Sequence, residues 1–162
     1  MGYNILQNGV LKSGNYWLYK IIQAILEKGS IEKRSFIKNS KISSVLKEEL
    51  DFDKDSKEFL DIDVMVIEEN QCKYSLRSFF SYPIEDLEKY VDSCTHVWTH
   101  SQFNSNTVNV YSLFDKKVYI IRDPRDAALS MANFEFSTYR KLHNPTNYSS
   151  TGEWLDHQFS NF

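Results

Sequence analysis

The chain twice sets a strand, a charged turn and a helix in immediate succession, and a repeated unit of that kind confines it to folds that layer strands against helices. The first copy is Val10-Leu11-Lys12-Ser13-Gly14-Asn15-Tyr16-Trp17, an apolar strand that breaks into a lysine-bearing turn and opens a helix. N–H groups at a helix start have no intrahelical partner and carry the positive end of the dipole, so an anion placed there meets several donors at once. Lys12 adds a full charge. Leu18, Ile21, Ile22, Ile25 and Leu26 then fall at the spacing of one buried helix face, with Gly29 after Lys28 as a stop.

The second copy runs from Val118 to Ser130. Val118-Tyr119-Ile120-Ile121 predicts a strand buried on both faces, as in a parallel sheet. Asp123 reads as an N-cap, Pro124 as the first helical residue and Asp126 as an acid in the first turn. Arg122 sits where strand gives way to helix. The seven positions from Asp123 to Ser130 are close to two helical turns, which returns the Ser130 hydroxyl to the face of the cap. Arginine and hydroxyl can then share one phosphate.

Lys12-Ser13-Gly14-Asn15 with Trp17, and Arg122 with Ser130, resemble the two nucleotide motifs of sulfotransferases that use 3′-phosphoadenosine 5′-phosphosulfate. The resemblance implies that Lys12, Ser13, Gly14, Asn15, Tyr16 and Trp17 hold the 5′-phosphate side, with Trp17 against the adenine. It implies equally that Arg122 and Ser130 hold the 3′-phosphate. Val97-Trp98-Thr99-His100 resembles the strand end that carries the family's catalytic histidine, making His100 the base and Lys12 the group that stabilises the bridging oxygen. Gly152-Glu153-Trp154-Leu155-Asp156-His157 resembles a further family helix, in which His157 reads as a packing residue. No metal is implied. The sequence departs from the family pattern at Leu11 (commonly proline), Tyr16 (commonly threonine) and Trp98 (often lysine). The family's C-terminal strand and basic glycine-containing loop have no counterpart after Phe162.

The expected architecture is therefore α/β, a mainly parallel sheet flanked by helices in the P-loop-like sulfotransferase arrangement, incomplete at its C-terminal side, with residues 1–162 as one domain. An edge strand left uncovered in such a sheet is expected to be exposed and prone to association. Lys12, His100 and Arg122 all fall at predicted strand ends, which line one crevice in an open parallel sheet. Other expected elements are a strand over Asp61–Glu68, a helix built on Pro83, Ile84, Leu87, Tyr90 and Val91, and a strand from Thr95 to Thr99. Residues from Ser30 to Lys57 give only an irregular helical stripe and read as a solvated surface helix or mobile insertion in preference to an acceptor-site flap.

A formal net charge of −3 argues against a nucleic-acid partner or an anionic membrane surface. Cys72 and Cys94 lack metal-ligand spacing and read as reduced thiols. With no targeting or anchor pattern at the N-terminus, a cytoplasmic setting is expected. The implied acceptor is a small molecule, lipid or carbohydrate bearing a hydroxyl or amine. Two rival functions arise from the same residues. Gly9 and Gly14 have the spacing of a nucleotide-triphosphate kinase or hydrolase loop, but such a loop needs Lys and Ser or Thr directly after its second glycine, where this chain has Asn15-Tyr16. The other rival is an inactive sulfotransferase-like fragment or nucleotide-binding module.

Overall fold

The computed structural model of the chain describes residues 3–40, 44, 45, 48, 60–76, 80–143 and 145–160. Strands β1 (Ile5–Gly9), β2 (Val64–Ile67), β3 (Cys72–Leu76), β4 (Phe80–Pro83), β5 (His96–Thr99) and β6 (Lys116–Ile120) form one sheet in the order β4-β3-β2-β5-β1-β6. The four strands from β2 to β6 along that order run parallel, and β3 and β4 add an antiparallel ribbon at the far side. Helix α1 (Asn15–Lys28) follows β1, α2 (Leu87–Asp92) precedes β5, and α3 (Thr107–Ser112) links β5 to β6. After β6 come α4 (Pro124–Glu135), α5 (Thr138–His143) and α6 (Thr151–Phe159).

Alternation along the strands sorts the core into two layers. Leu6, Met65, Ile67 and Val97 pack with Tyr90 and Val91 of α2, Val110 of α3 and Phe114. On the other face, Ile5 meets Ile22 and Leu26 of α1, with Leu18 and Val118 alongside. Full burial of such a side chain contributes roughly 1.5–3 kcal/mol, so the two layers hold the helices against the sheet. They also align the C-terminal ends of the adjacent strands β5, β1 and β6.

Several expectations are corrected. The apolar stripe of α1 is wider than the face it buries: Ile22 and Leu26 are enclosed, whereas Ile21 and Ile25 are 54% and 62% exposed. Gln23 and Tyr19 of α1 turn to β5 instead, through polar and ring contacts with His96, so the helix is rotated from the all-aliphatic solution. The strand expected to be buried on both faces, β6, is the edge of the sheet, and Ile121 just beyond it is 84% exposed. Apolar runs signal strand formation, but the position of a strand in the sheet is set by pairing that a local window does not contain. Val10 and Leu11 belong to the turn and are exposed. The strand expected over 61–68 is confined to Val64–Ile67. The helix after Pro83 begins only at Leu87, because Pro83 closes β4 and the Asp86 side chain caps the helix by accepting from the Lys89 N–H. The β3–β4 ribbon was not expected. Much of the stripe assigned to 30–57, including Ile42, Leu46 and Leu50, lies outside the described residues. Ile37, within the described part, is fully buried.

Candidate functional site

Strand β1 ends at Gly9, where no larger residue fits. A Cβ there would lie 2.4 Å from Ile120 Cγ2 and 2.6 Å from Asn15 Oδ1. The chain then reverses through a turn in which the Val10 carbonyl accepts from the Ser13 N–H at 3.1 Å and from Asn15 Nδ2 at 2.7 Å. Lys12 occupies the third position of that turn with φ 64, a left-handed conformation that turns of this kind demand and that glycine or asparagine adopts at lower cost. Gly14, at φ 96, is the N-cap of α1 and supplies no side-chain cap. The helix ladder opens with the Leu18 N–H donating to the Gly14 carbonyl. Helical geometry therefore gives the first-turn N–H groups no carbonyl one turn back to donate to, which is the arrangement of an anion cradle.

The helix start of the second motif forms as its sequence indicates. The Asp123 side chain caps α4 by accepting from the Arg125 N–H, and Pro124 opens the helix. Both carboxylate oxygens of Asp123 are occupied by Arg125, Oδ1 by its backbone N–H and Nε, Oδ2 by its Nη2 at 2.6 Å. Arg122 turns elsewhere and donates from Nη1 to the Lys12 carbonyl at 2.9 Å. In return, Lys12 reaches across to α4, its Nζ 4.3 Å from the centroid of the Phe134 ring. Ser130 is half-buried one turn earlier on the same helix. The two motifs are thus clasped to each other in both directions. Partial burial lowers the Lys12 pKa, and the nearby Arg122 charge lowers it further. Among the described residues, neither cation is paired with a carboxylate.

His100 follows β5 directly. Its Nδ1 lies 2.7 Å from the Gly9 carbonyl, which can only accept, so Nδ1 carries the proton and Nε2 keeps its lone pair. Trp98 packs edge-on against the ring at 5.3 Å. Burial lowers the His100 pKa, opposed by the Gly9 hydrogen bond. Lys12, Arg122 and His100, far apart in sequence, therefore converge around the end of β1.

The remaining predicted residues are distributed as follows. Ser13 and Asn15 are buried supports of the turn, and Tyr16 is half-buried with the Lys20 ammonium 5.3 Å from its ring centroid. Trp17 projects outward and is 75% exposed. His157 lies in α6 against the Tyr148 ring. Three contributors were missed: Phe134, the Gly9 carbonyl and the buried Gln7–His96 pair. Phe134 is four residues after Ser130 and so shares its helix face, a signal available in the sequence. Among the described residues, no group of three or more His, Cys, Asp or Glu side chains is placed to hold a metal ion, and no helix is long and apolar enough to cross a membrane.

The chain matches the sulfotransferase domain family over residues 4–160 and belongs to that family. A comparison with curated proteins gives no match. The mostly parallel six-stranded sheet with flanking helices is the α/β architecture that membership entails.

Proposed function

We propose that the protein transfers a sulfuryl group from 3′-phosphoadenosine 5′-phosphosulfate to a hydroxyl or amine of a small-molecule, lipid or carbohydrate acceptor. One observation carries this reading: Lys12 and Arg122 are held beside each other with neither paired to a carboxylate among the described residues, while Asp123, the nearest acid in sequence, is fully engaged by Arg125. Two cations kept close with neither paired to a carboxylate among the described residues, next to an uncapped helix start, make a site suited to a polyanion. A kinase-type loop is disfavoured because Gly14 is followed by Asn15-Tyr16 rather than by Lys and then Ser or Thr, so the residues that would reach the terminal phosphates and magnesium are not in place.

The donor supplies an activated sulfuryl group on its 5′-phosphate. Lys12 and the α1 N–H groups hold that phosphate, and the Lys12 ammonium stabilises the charge that grows on the oxygen being released. Arg122 and Ser130 hold the 3′-phosphate, and the exposed Trp17 ring offers a face for the adenine. His100 takes the acceptor's proton on Nε2, its orientation fixed by the Gly9 carbonyl. As in phosphoryl transfer, positioning and electrostatics carry the acceleration. Two unpaired buried thiols suit a reducing, cytoplasmic setting.

Calorimetry with adenosine 3′,5′-bisphosphate tests the proposal. Binding at about 1 μM or tighter, corresponding to about 8 kcal/mol, is expected without magnesium. Absence of binding at millimolar ligand, or a strict need for magnesium, overturns it. His100→Gln is expected to abolish transfer while leaving bisphosphate affinity intact.

A further inference from the structure

We infer that Gln7 and His96 are positioning residues for the anion turn, acting through the carbonyl of Asn15; the inference rests on that turn being the nucleotide site. Gln7 of β1 is fully enclosed and His96 of β5 is 4% exposed, on the sheet face that otherwise receives the aliphatic side of α1. Two polar side chains in such a layer cost folding free energy unless every polar atom is matched. Here they are matched in one direction. Gln23 Nε2 donates to His96 Nδ1 at 3.0 Å, which leaves the imidazole proton on Nε2. That proton is donated to Gln7 Oε1 at 3.1 Å, and Gln7 Nε2 donates to the Asn15 carbonyl at 2.8 Å. The result is a column of three hydrogen bonds running from the middle of α1, through two strands, back to its first residue.

Its end point explains its use. Asn15 is gripped twice, at its carbonyl by Gln7 and through its side-chain amide by the Val10 carbonyl. These bonds fix both ends of a turn whose interior holds two left-handed residues, Lys12 and Gly14. Such a turn persists only when its surroundings over-determine it. An aliphatic pair at 7 and 96 would bury as well, but it would leave the first peptide of α1 free to rock and its N–H groups without a fixed aim. Cooperative polarisation along the column also sharpens the donors of the first turn.

The test uses the full chain with Gln7→Met, His96→Leu and the double variant, measuring adenosine 3′,5′-bisphosphate affinity by calorimetry and amide hydrogen exchange across residues 10–16. Each single variant is expected to weaken binding about tenfold through misplacement of the turn. The double variant is expected to be no worse than either single one, because the residues act in series. Exchange across 10–16 should accelerate while exchange in α3 is unchanged. Variants that melt lower yet bind and exchange at the turn like wild type overturn the inference, as do strictly additive losses. Should the wild-type protein fail to bind the bisphosphate, the nucleotide reading falls and the exchange data alone decide the positioning role: faster turn exchange supports it, unchanged exchange overturns it. Gln23→Met, at the half-buried end of the column, gives the same reading if a core variant does not fold.

Discussion

Acidification should act on two buried groups with opposite signs, and substitution of either one should uncover the other. Burial pushes the His96 imidazole down from 6.5 to about 4. Between those values the unfolded chain binds a proton that the folded chain refuses, so this group's contribution is complete above pH 6.5 and is lost as pH falls through 4. At about 1.4 kcal/mol per pH unit, the loss is about 3 kcal/mol, a large share of the 5–15 kcal/mol typical of a domain. Asp63 is raised by burial from 3.8 to about 6, against the pull of its hydrogen bonds from the Ile37 N–H and from Ser35 and Cys94. The folded chain now takes the proton first. Stability from this group is complete below pH 3.8 and is lost as pH rises through 6, again by about 3 kcal/mol. The two terms nearly cancel in the wild-type protein between pH 4 and 6.5. Urea unfolding followed by tryptophan fluorescence at half-unit steps should therefore show Asp63→Asn losing stability with falling pH, relative to wild type, and His96→Gln gaining it. Lost contacts shift each curve vertically, whereas titration changes its slope. Parallel curves for all three proteins would refute the assignment of these two titrations to burial.

Further outcomes concern the site. Lys12→Gly should leave stability within about 1 kcal/mol, because relief of the left-handed lysine offsets glycine's entropy, while bisphosphate affinity drops about tenfold or more through loss of a charged contact; calorimetry and urea unfolding separate the two effects. Gly9→Ala should cost about 1–3 kcal/mol in urea unfolding, since its methyl group meets Ile120 and Asn15. The acidic limb of the kcat/KM profile should lie below pH 6.5, because burial lowers the His100 pKa; an acidic limb above that value contradicts the site's burial.

Local turn and cap geometry was more legible than the long-range packing around it. Lys12, Asp123 and Pro124 advertise their local roles through turn and cap chemistry, which depends on a few neighbouring residues and is therefore written in order along the chain. His100 was singled out by its resemblance to a family motif, and the rule that parallel strand ends share a crevice grouped it with Arg122; the two side chains hydrogen-bond to the Gly9 and Lys12 carbonyls. What failed depended on partners distant in sequence. Ile121 looks like a core residue until the strand is seen to stand at the sheet edge among the described residues, and Ile21 looks like core until Gln23 and Tyr19 rotate α1 toward His96. The β3–β4 ribbon escaped because Lys73, Ser75 and Ser81 dilute its apolar signal. His96 resembled any buried strand residue, since nothing local to it names Gln7 or Gln23 as its companions.

The mutual clasp between Lys12 and α4, and between Arg122 and the Lys12 carbonyl, has a geometric corollary. It works as a caliper, because each motif holds a group of the other. Under the proposed function, an isomer carrying its second phosphate on the neighbouring ribose hydroxyl would engage one jaw at a time and forfeit the gain of simultaneous grip.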